Sequence, residues 1–150
     1  MPIIPWSPTL DVGVPEIDHQ HKLLVTRLNC LHKAIAAGHA PARINELIRQ
    51  LEHYTEYHFA TEERLMAEHG YEFTDFHCAD HRAMSLQIRE FVGDLEQNFA
   101  THQGVLNFLE GWLLDHITGA DRHLGAALRD GVRPAVRAHA DHAAGHCHPA

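Results

Sequence analysis

Seven side chains of the kinds that bind metal ions fall on or beside the apolar stripes of four predicted helices. A buried carboxylate or imidazole that lacks partners strongly destabilises a folded protein. A chain that places so many of them in its core must supply something there that binds them, and a metal centre is the simplest candidate. The seven are His21, His58, Glu62, His77, His81, His116 and Asp121.

Two pairs of these residues have a spacing that would let both members bind the same metal ion or two neighbouring ions. Residues four apart project from the same face of a helix, about 6 Å from each other. His58 and Glu62 have this spacing, as do His77 and His81. Each pair could therefore hold one metal ion or two neighbouring ions.

A third pair has a spacing that an ordinary α-helix does not accommodate. His116 and Asp121 are five residues apart, so a straight α-helix would turn Asp121 well off the seam. We therefore expect a π-type widening around residues 117–120, where Gly119 would tolerate it. Such widenings are frequent at functional sites.

The residue types restrict the metal. Seven protein ligands are too many for one ion that must keep an open position, and they suit two ions. Imidazole-rich ligation with bridging carboxylates favours a borderline metal such as iron over calcium or magnesium, which prefer oxygen ligands. Because no cysteine lies on the stripes, a thiolate zinc site or an iron–sulfur cluster is not expected.

The elements that must position these residues are four amphipathic helices joined by short links. Their apolar residues repeat at alternating steps of three and four, and no strand-like alternation competes with that pattern. The expected bounds are Ile17 to Gly38 with Asp18 as the cap, Pro41 to Gly70, a third helix capped by Thr74 or Asp75 and running to Leu95, and Val105 to Leu128 before Gly131 and Pro134.

This pattern predicts an all-α fold, an up-down-up-down antiparallel four-helix bundle. In such a bundle the start of the first helix, the end of the second, the start of the third and the end of the fourth lie at the same end. The seven side chains occupy those four places, so we expect them to converge. The expected organisation is an extended N-terminal arm over residues 1–16, the bundle over residues 17–130, and a His-rich tail over residues 131–150 that is a short helix or flexible.

Composition excludes some partners. The formal net charge of -8 argues against binding to nucleic acid or to an anionic membrane, because both need a basic face. The N-terminal residues have no basic segment followed by an apolar stretch, and no later run approaches the length of a membrane span. We therefore expect a cytoplasmic protein.

The motifs around the seven residues resemble those of the hemerythrin family, specifically its single-domain bacterial members. The resemblance runs from about residue 6 to residue 128, with four motifs in the same order. One of these motifs alone would be weak evidence, but the ordered set is specific. The motifs are Trp6 with Val12-Gly13-Val14-Pro15-Glu16-Ile17-Asp18-His19-Gln20-His21, then His58-Phe59-Ala60-Thr61-Glu62-Glu63, then Gly70-Tyr71 with His77-Cys78-Ala79-Asp80-His81, and Trp112-Leu113-Leu114-Asp115-His116-Ile117-Thr118-Gly119-Ala120-Asp121.

The resemblance implies a non-haem di-iron centre that binds dioxygen reversibly, for storage, delivery or sensing. It implies that three histidines complete the coordination of one iron, and that two histidines hold the other iron and leave it one vacant position. It also implies that two carboxylates bridge the two irons together with an oxo or hydroxo group. On the matching positions these are His77, His81 and His116 for the first iron, His21 and His58 for the second, and Glu62 and Asp121 as bridges.

The ligand set itself favours binding of oxygen over its activation, because few anionic ligands donate electron density to the O–O bond. A dry apolar pocket would keep water and protons away from the bound oxygen. The expected walls lie one turn or one residue from the predicted ligands. They are Leu24, Trp112, Leu113 and Ile117.

Other readings of the sequence remain open. An enzyme on the same scaffold could reduce nitric oxide or peroxide, or donate iron for cluster repair, although relatives built for repair are expected to carry an additional N-terminal cysteine-bearing module. The metals could also serve mainly to stabilise the fold. We expect Glu63 to face solvent, and His123 is at most a neighbour of the ligands. No protein partner is indicated.

Overall fold

The computed structural model describes residues 4–131, and within that range every regular element is helical. The elements occur in the predicted order and match the four predicted helices, the last of which is divided in two. They are a short 3-10 helix at Pro8–Leu10, α1 at Pro15–Ala36, α2 at Pro41–His69, α3 at Thr74–Glu96, α4 at His102–His116, a π-helical turn at Ile117–Asp121, and α5 at Arg122–Asp130.

Two helix ends follow directly from the residues predicted to form them. Pro41 occupies the first turn of α2, where its missing N–H removes no helical hydrogen bond. Gly70 ends the same helix with a left-handed backbone, at φ 61° and ψ 45°. Most residues other than glycine adopt that conformation only with strain, which explains why a glycine ends the helix.

The predicted caps of α1 and α3 are wrong. The residue before α1 is Val14, and the Asp18 carboxylate instead accepts hydrogen bonds from the backbone N–H groups of Val12 and Gly13. Thr74 lies inside the first turn of α3, where its hydroxyl donates to the carbonyl of Tyr71. Both side chains bind the backbone of the segment that precedes the helix. These hydrogen bonds depend on how that segment folds back, which the local sequence pattern does not give.

The N-terminal arm is ordered and packs on the helices. Ile4 is buried, and its backbone exchanges two hydrogen bonds with the Asn29 side chain of α1. Farther along the arm, Arg122 of α5 donates to the carbonyl of Thr9. The arm therefore connects α1 to α5.

The buried apolar residues form two clusters on either side of a polar layer. The larger cluster fills the space between α1, α2, α3 and α4 and includes Leu24, Leu28 and Leu106. The smaller one includes Ile17 and Leu124. The candidate metal-binding residues lie between the two.

No helix within residues 4–131 is long and apolar enough to cross a membrane. Apart from Gly131, the predicted His-rich tail lies outside the described residues.

Candidate metal centre

The structure brings all seven predicted metal-binding side chains together in the interior. They come from α1, α2, α3, α4 and the π turn, and each is at most 4% exposed. Their closest approaches are those of hydrogen-bonded or ion-paired groups, such as 2.7 Å between His21 Nε2 and Asp121 Oδ2 and 3.0 Å between His81 Nε2 and Glu62 Oε1. The convergence expected from their positions along the helices is therefore present.

The π turn positions Asp121. Residues Ile117–Asp121 adopt the wider helix, which confirms the predicted widening at these residues. With the additional residue in the turn, Asp121 Oδ1 lies 2.9 Å from His116 Nε2 although the two residues are five apart. Asp121 is fully buried as a result.

The ligand atoms form two overlapping groups, and within each group they all lie within 4.8 Å of one another. Three histidines belong to one group and two to the other, while both carboxylates belong to each. The first group, called here the three-histidine group, contains Glu62, His77, His81, His116 and Asp121; the second, the two-histidine group, contains His21, His58, Glu62 and Asp121.

Mutual pairing shifts the pKa values of the imidazoles upward. Burial alone would lower the pKa of His58, but the negative charge of Glu62 and the close approach of His58 Nε2 to the Asp121 and Glu62 carboxylates raise it from 6.5 to about 9. Burial is likewise outweighed at His77, where hydrogen bonds with the same two carboxylates raise the pKa to about 9. The pKa of His116 is also raised well above its ordinary value, chiefly by Asp121.

The carboxylates shift the other way. Burial would raise the pKa of Glu62, but the charge of His58, the nearby His116 ring and a hydrogen bond with His77 hold it well below its usual range. The pKa of Asp121 is also lowered, because His116 and His21 outweigh burial and the repulsion from Glu62. Both acids therefore remain anionic at neutral pH and can serve as metal ligands.

Several buried polar atoms in the cluster have no hydrogen-bond partner of acceptable geometry within residues 4–131. A buried polar atom without a partner is costly, so these atoms indicate that the cluster binds something more. Nitrogen and oxygen donors directed at a shared centre fit metal ions of the borderline type. The inward-facing atoms of this kind are His58 Nε2, Glu62 Oε2, His116 Nε2 and Asp121 Oδ1. His21 Nδ1 is also unpaired, but it is the outer nitrogen of a ring whose Nε2 faces Asp121.

Three residues outside the predicted set bind the outer nitrogens of the cluster. The Nδ1 atoms of His58, His81 and His116 lie 2.7 to 2.8 Å from acceptor oxygens, which leaves the opposite ring nitrogens directed inward. These acceptors are Gln20 Oε1 for His58, Glu63 Oε2 for His81, and Asp80 Oδ2 for His116.

The expectation that Glu63 faces solvent is therefore wrong. Its side chain is only 21% exposed, because it turns toward α3 to bind His81. The sequence offered one signal for two of these partners: Glu63 and Asp80 are carboxylates adjacent in the chain to predicted ligands. That signal is weak, since residues next to each other on a helix point in different directions.

Aromatic rings pack directly on two of the imidazoles. Phe59 stacks on His81 with ring centroids 3.9 Å apart, and Trp112 stacks on His116 at 4.6 Å. Phe59 was not among the predicted pocket walls, although it immediately follows His58. The expected walls Leu24, Leu113 and Ile117 are buried, and Trp112 is partly buried: three of these four belong to one helical segment, α4 and its π turn.

A surface cavity of about 370 Å³ lies beside the cluster, and His77 forms part of its wall. Tyr71 lines it, and its hydroxyl lies 2.5 Å from His123 Nδ1. His123 itself lines this cavity together with His77, but it touches none of the seven clustered side chains in the contacts described for residues 4–131.

Comparison with known proteins decides the family. Residues 12–128 match the family described as the hemerythrin HHE cation binding domain. The chain belongs to the hemerythrin family.

Among hemerythrin relatives, the chain is 33% identical to a bacteriohemerythrin of Pseudomonas paraeruginosa over 132 residues, 88% of this chain and 86% of the relative. It is 30% identical to a bacteriohemerythrin of Stenotrophomonas maltophilia over 139 residues, 93% of this chain and 90% of the relative. The bacteriohemerythrin of Methylococcus capsulatus is 29% identical, over 85% of this chain and 98% of its own length. All seven clustered side chains lie within the part of the chain that matches the hemerythrin family.

Proposed function

We propose that this chain binds dioxygen reversibly at a non-haem di-iron centre. The observation that supports this most strongly is the pair of overlapping ligand groups. They share two carboxylates, and one group has three histidines of its own whereas the other has two. Two groups with common carboxylates suit two neighbouring ions, and the smaller protein ligand set leaves room for an external ligand. Membership of the hemerythrin family supports iron as the metal.

We propose the division of ligands that the resemblance to the hemerythrin family implies. His77, His81 and His116 would complete one iron, and His21 and His58 would hold the other. Glu62 and Asp121 would bridge them together with an oxo or hydroxo group. When bound, the two ferrous ions supply the electrons that a reversible interaction with dioxygen requires.

The surrounding residues would protect that interaction. Leu24, Leu113 and Ile117 are at most 6% exposed and would exclude water from the oxygen site. Trp112 and Phe59 fix the orientation of the imidazoles that they stack on. This lining would favour release of intact dioxygen over reactions that consume protons.

We further infer that the helices follow an up-down-up-down antiparallel order, with residues 1–16 as an arm and residues 17–130 as the bundle. Two contacts support this order. His21 near the start of α1 meets Glu62 near the end of α2, and the His77 ring near the start of α3 packs against the His116 ring at the end of α4, with centroids 5.2 Å apart.

The test is an optical titration of the iron-loaded protein. Protein reduced without oxygen and then exposed to air should develop a visible absorption band that disappears on deoxygenation, over repeated cycles. An immediate and irreversible change to the ferric spectrum would contradict the proposal. Steady turnover of nitric oxide or peroxide with an added reductant would favour the enzymatic alternative instead.

A further inference from the structure

The two ligand groups differ in the charge of the residues behind them. In the three-histidine group, carboxylates accept from two imidazoles: Glu63 Oε2 lies 2.8 Å from His81 Nδ1, and Asp80 Oδ2 lies 2.7 Å from His116 Nδ1. In the two-histidine group, His58 Nδ1 meets a neutral amide oxygen, and His21 Nδ1 has no hydrogen-bond partner among the described residues. In the part of the chain that the structure describes, two carboxylates therefore bind outer nitrogens of the three-histidine group, and none binds an outer nitrogen of the two-histidine group.

The amide of Gln20 is fixed in the orientation that makes it an acceptor for His58. Its Nε2 lies 3.0 Å from Thr61 Oγ1, and the Thr61 hydroxyl is itself directed at the carbonyl of Tyr57. Because that hydroxyl donates to the carbonyl, it can accept from Gln20 only through its lone pairs. The amide nitrogen must therefore face Thr61 and the amide oxygen must face His58. Gln20 is only 3% exposed, so water does not replace this contact.

An anionic acceptor changes an imidazole more than a neutral one does. A carboxylate that accepts the Nδ1 proton forms a charge-assisted hydrogen bond and increases the electron density at Nε2, so that nitrogen becomes a stronger metal ligand. A neutral amide orients the ring with a smaller effect on its basicity. Outer partners of this kind typically change metal affinity by about 10- to 100-fold.

On the basis of the proposed function, we propose that Glu63, Asp80 and Gln20 are positioning residues that give the two metal positions unequal affinity. Glu63 and Asp80 strengthen the three-histidine position, so that it fills first and empties last. Gln20 keeps the two-histidine position weaker, although a carboxylate of nearly the same size would fit there. The Glu63 side chain is 21% exposed and that of Asp80 is 48% exposed, so solvent weakens the contribution of Asp80 more.

The experiment follows metal release from protein loaded anaerobically with ferrous iron, after mixing with excess of a chelator that becomes coloured on binding ferrous iron. The unmodified protein should release iron in two phases of equal amplitude. Glu63→Gln should accelerate the slow phase about tenfold or more and leave the fast phase unchanged, and Asp80→Asn should act in the same direction but less. Gln20→Glu should slow the fast phase about tenfold.

The matched control is Glu90→Gln, which removes one carboxylate from an exposed position on α3 and should change neither phase. Release in a single phase from the unmodified protein would overturn the proposal, and so would a Gln20→Glu protein whose fast phase is unchanged. The Gln20→Glu effect is a gain in retention, which a misfolded protein could not mimic. Circular dichroism would identify any substitution that unfolds the chain.

The metal-release experiment and the oxygen titration can fail independently of each other. Two shifted release phases without a reversible oxygen band would support the inequality and contradict oxygen binding. A reversible oxygen band with a single release phase would support oxygen binding and contradict the unequal affinity of the two metal positions.

Discussion

At the scale of single residues, the buried charges are the feature that most needs an explanation. Glu62 and Asp121 are fully buried, and imidazoles surround both. These carboxylates and imidazoles could be identified from the sequence, because the apolar stripe of a buried helix face ordinarily contains no such groups. The partners Gln20, Glu63 and Asp80 could not be found in that way, since each is an ordinary polar residue whose role depends on which neighbouring helix it faces.

Removing one proposed ligand should reduce metal loading. His58→Ala and Glu62→Gln should lower the iron content of the loaded protein from two ions per chain to one or fewer, because these residues belong to the clustered ligand groups. Metal analysis of the desalted protein provides the measurement. His69→Ala is the control, since its ring binds only the backbone carbonyl of Leu65 in the contacts described for residues 4–131. A full complement of iron in Glu62→Gln would contradict the ligand assignment.

The imidazoles also predict a pH dependence of the metal-free protein. The pKa values of His58 and His77 are about 9 in the folded chain against an ordinary 6.5. Their paired, protonated forms therefore stabilise the fold fully below pH 6.5, and this contribution disappears as the pH rises through about 9. Glu62 and Asp121 have lowered pKa values, so they add no slope above neutral pH.

We accordingly expect the thermal unfolding midpoint of metal-free protein to fall between pH 7 and pH 10. Iron-loaded protein should show a smaller decrease, because its imidazoles are occupied by metal rather than by protons. Scanning calorimetry of both forms in the same buffers provides the comparison. A midpoint of the metal-free form that stays constant or rises over this range would contradict the imidazole pKa values.

At the scale of elements, the π turn between α4 and α5 is what brings its own Asp121 beside His116 of α4. It was predictable because a five-residue separation cannot place both side chains on the seam of an α-helix. The long helices were predictable for a related reason, since their apolar residues repeat with the helical period. The caps at α1 and α3 were not, because Asp18 and Thr74 bind backbone whose position depends on the arm and the α2–α3 turn.

Shortening the π turn by one residue should remove Asp121 from the metal centre. Deletion of the exposed Thr118 should restore α-helical hydrogen bonding and rotate Asp121 by about 100° around the helix axis. Iron content should fall to one ion or fewer, whereas helix content by circular dichroism should change little. Gly119→Ala is the matched control, because a Cβ at Gly119 meets nothing within 4 Å. Full iron loading of the deletion variant would show that the π turn is dispensable.

At the scale of the whole molecule, the arm and the metal centre both join elements that are distant in the sequence. Gly125 of α5 lies so close to the arm that an added Cβ would come within 2.4 Å of the Val12 carbonyl oxygen. About one helical turn earlier in the chain, Asp121 lies 2.7 Å from His21, although the two residues are 100 apart in sequence. The sequence predicted that these ends meet but could not predict how closely the arm packs on α5.

Substitution of Gly125 should destabilise the fold through the arm. Gly125→Ala should lower the free energy of unfolding by about 1–3 kcal/mol, the usual cost of forcing an extra methyl group into a packed contact. Gly111→Ala is the control, because the space there is open and alanine favours a helix by about 0.8–1.0 kcal/mol over glycine. Chemical denaturation of both variants measures the difference. Equal or greater stability of Gly125→Ala would show that the arm moves away without cost.

The π turn also has a consequence for how sites of this kind arise and disappear. A π turn differs from an α-helical turn by one added residue, so a single-codon insertion into a regular helix could have brought Asp121 to its partners. An in-frame loss of that codon would remove the carboxylate while leaving the apolar stripes in place. Among gene copies, the length of this one segment would then separate chains that keep all seven clustered side chains together from chains that keep only the helical scaffold.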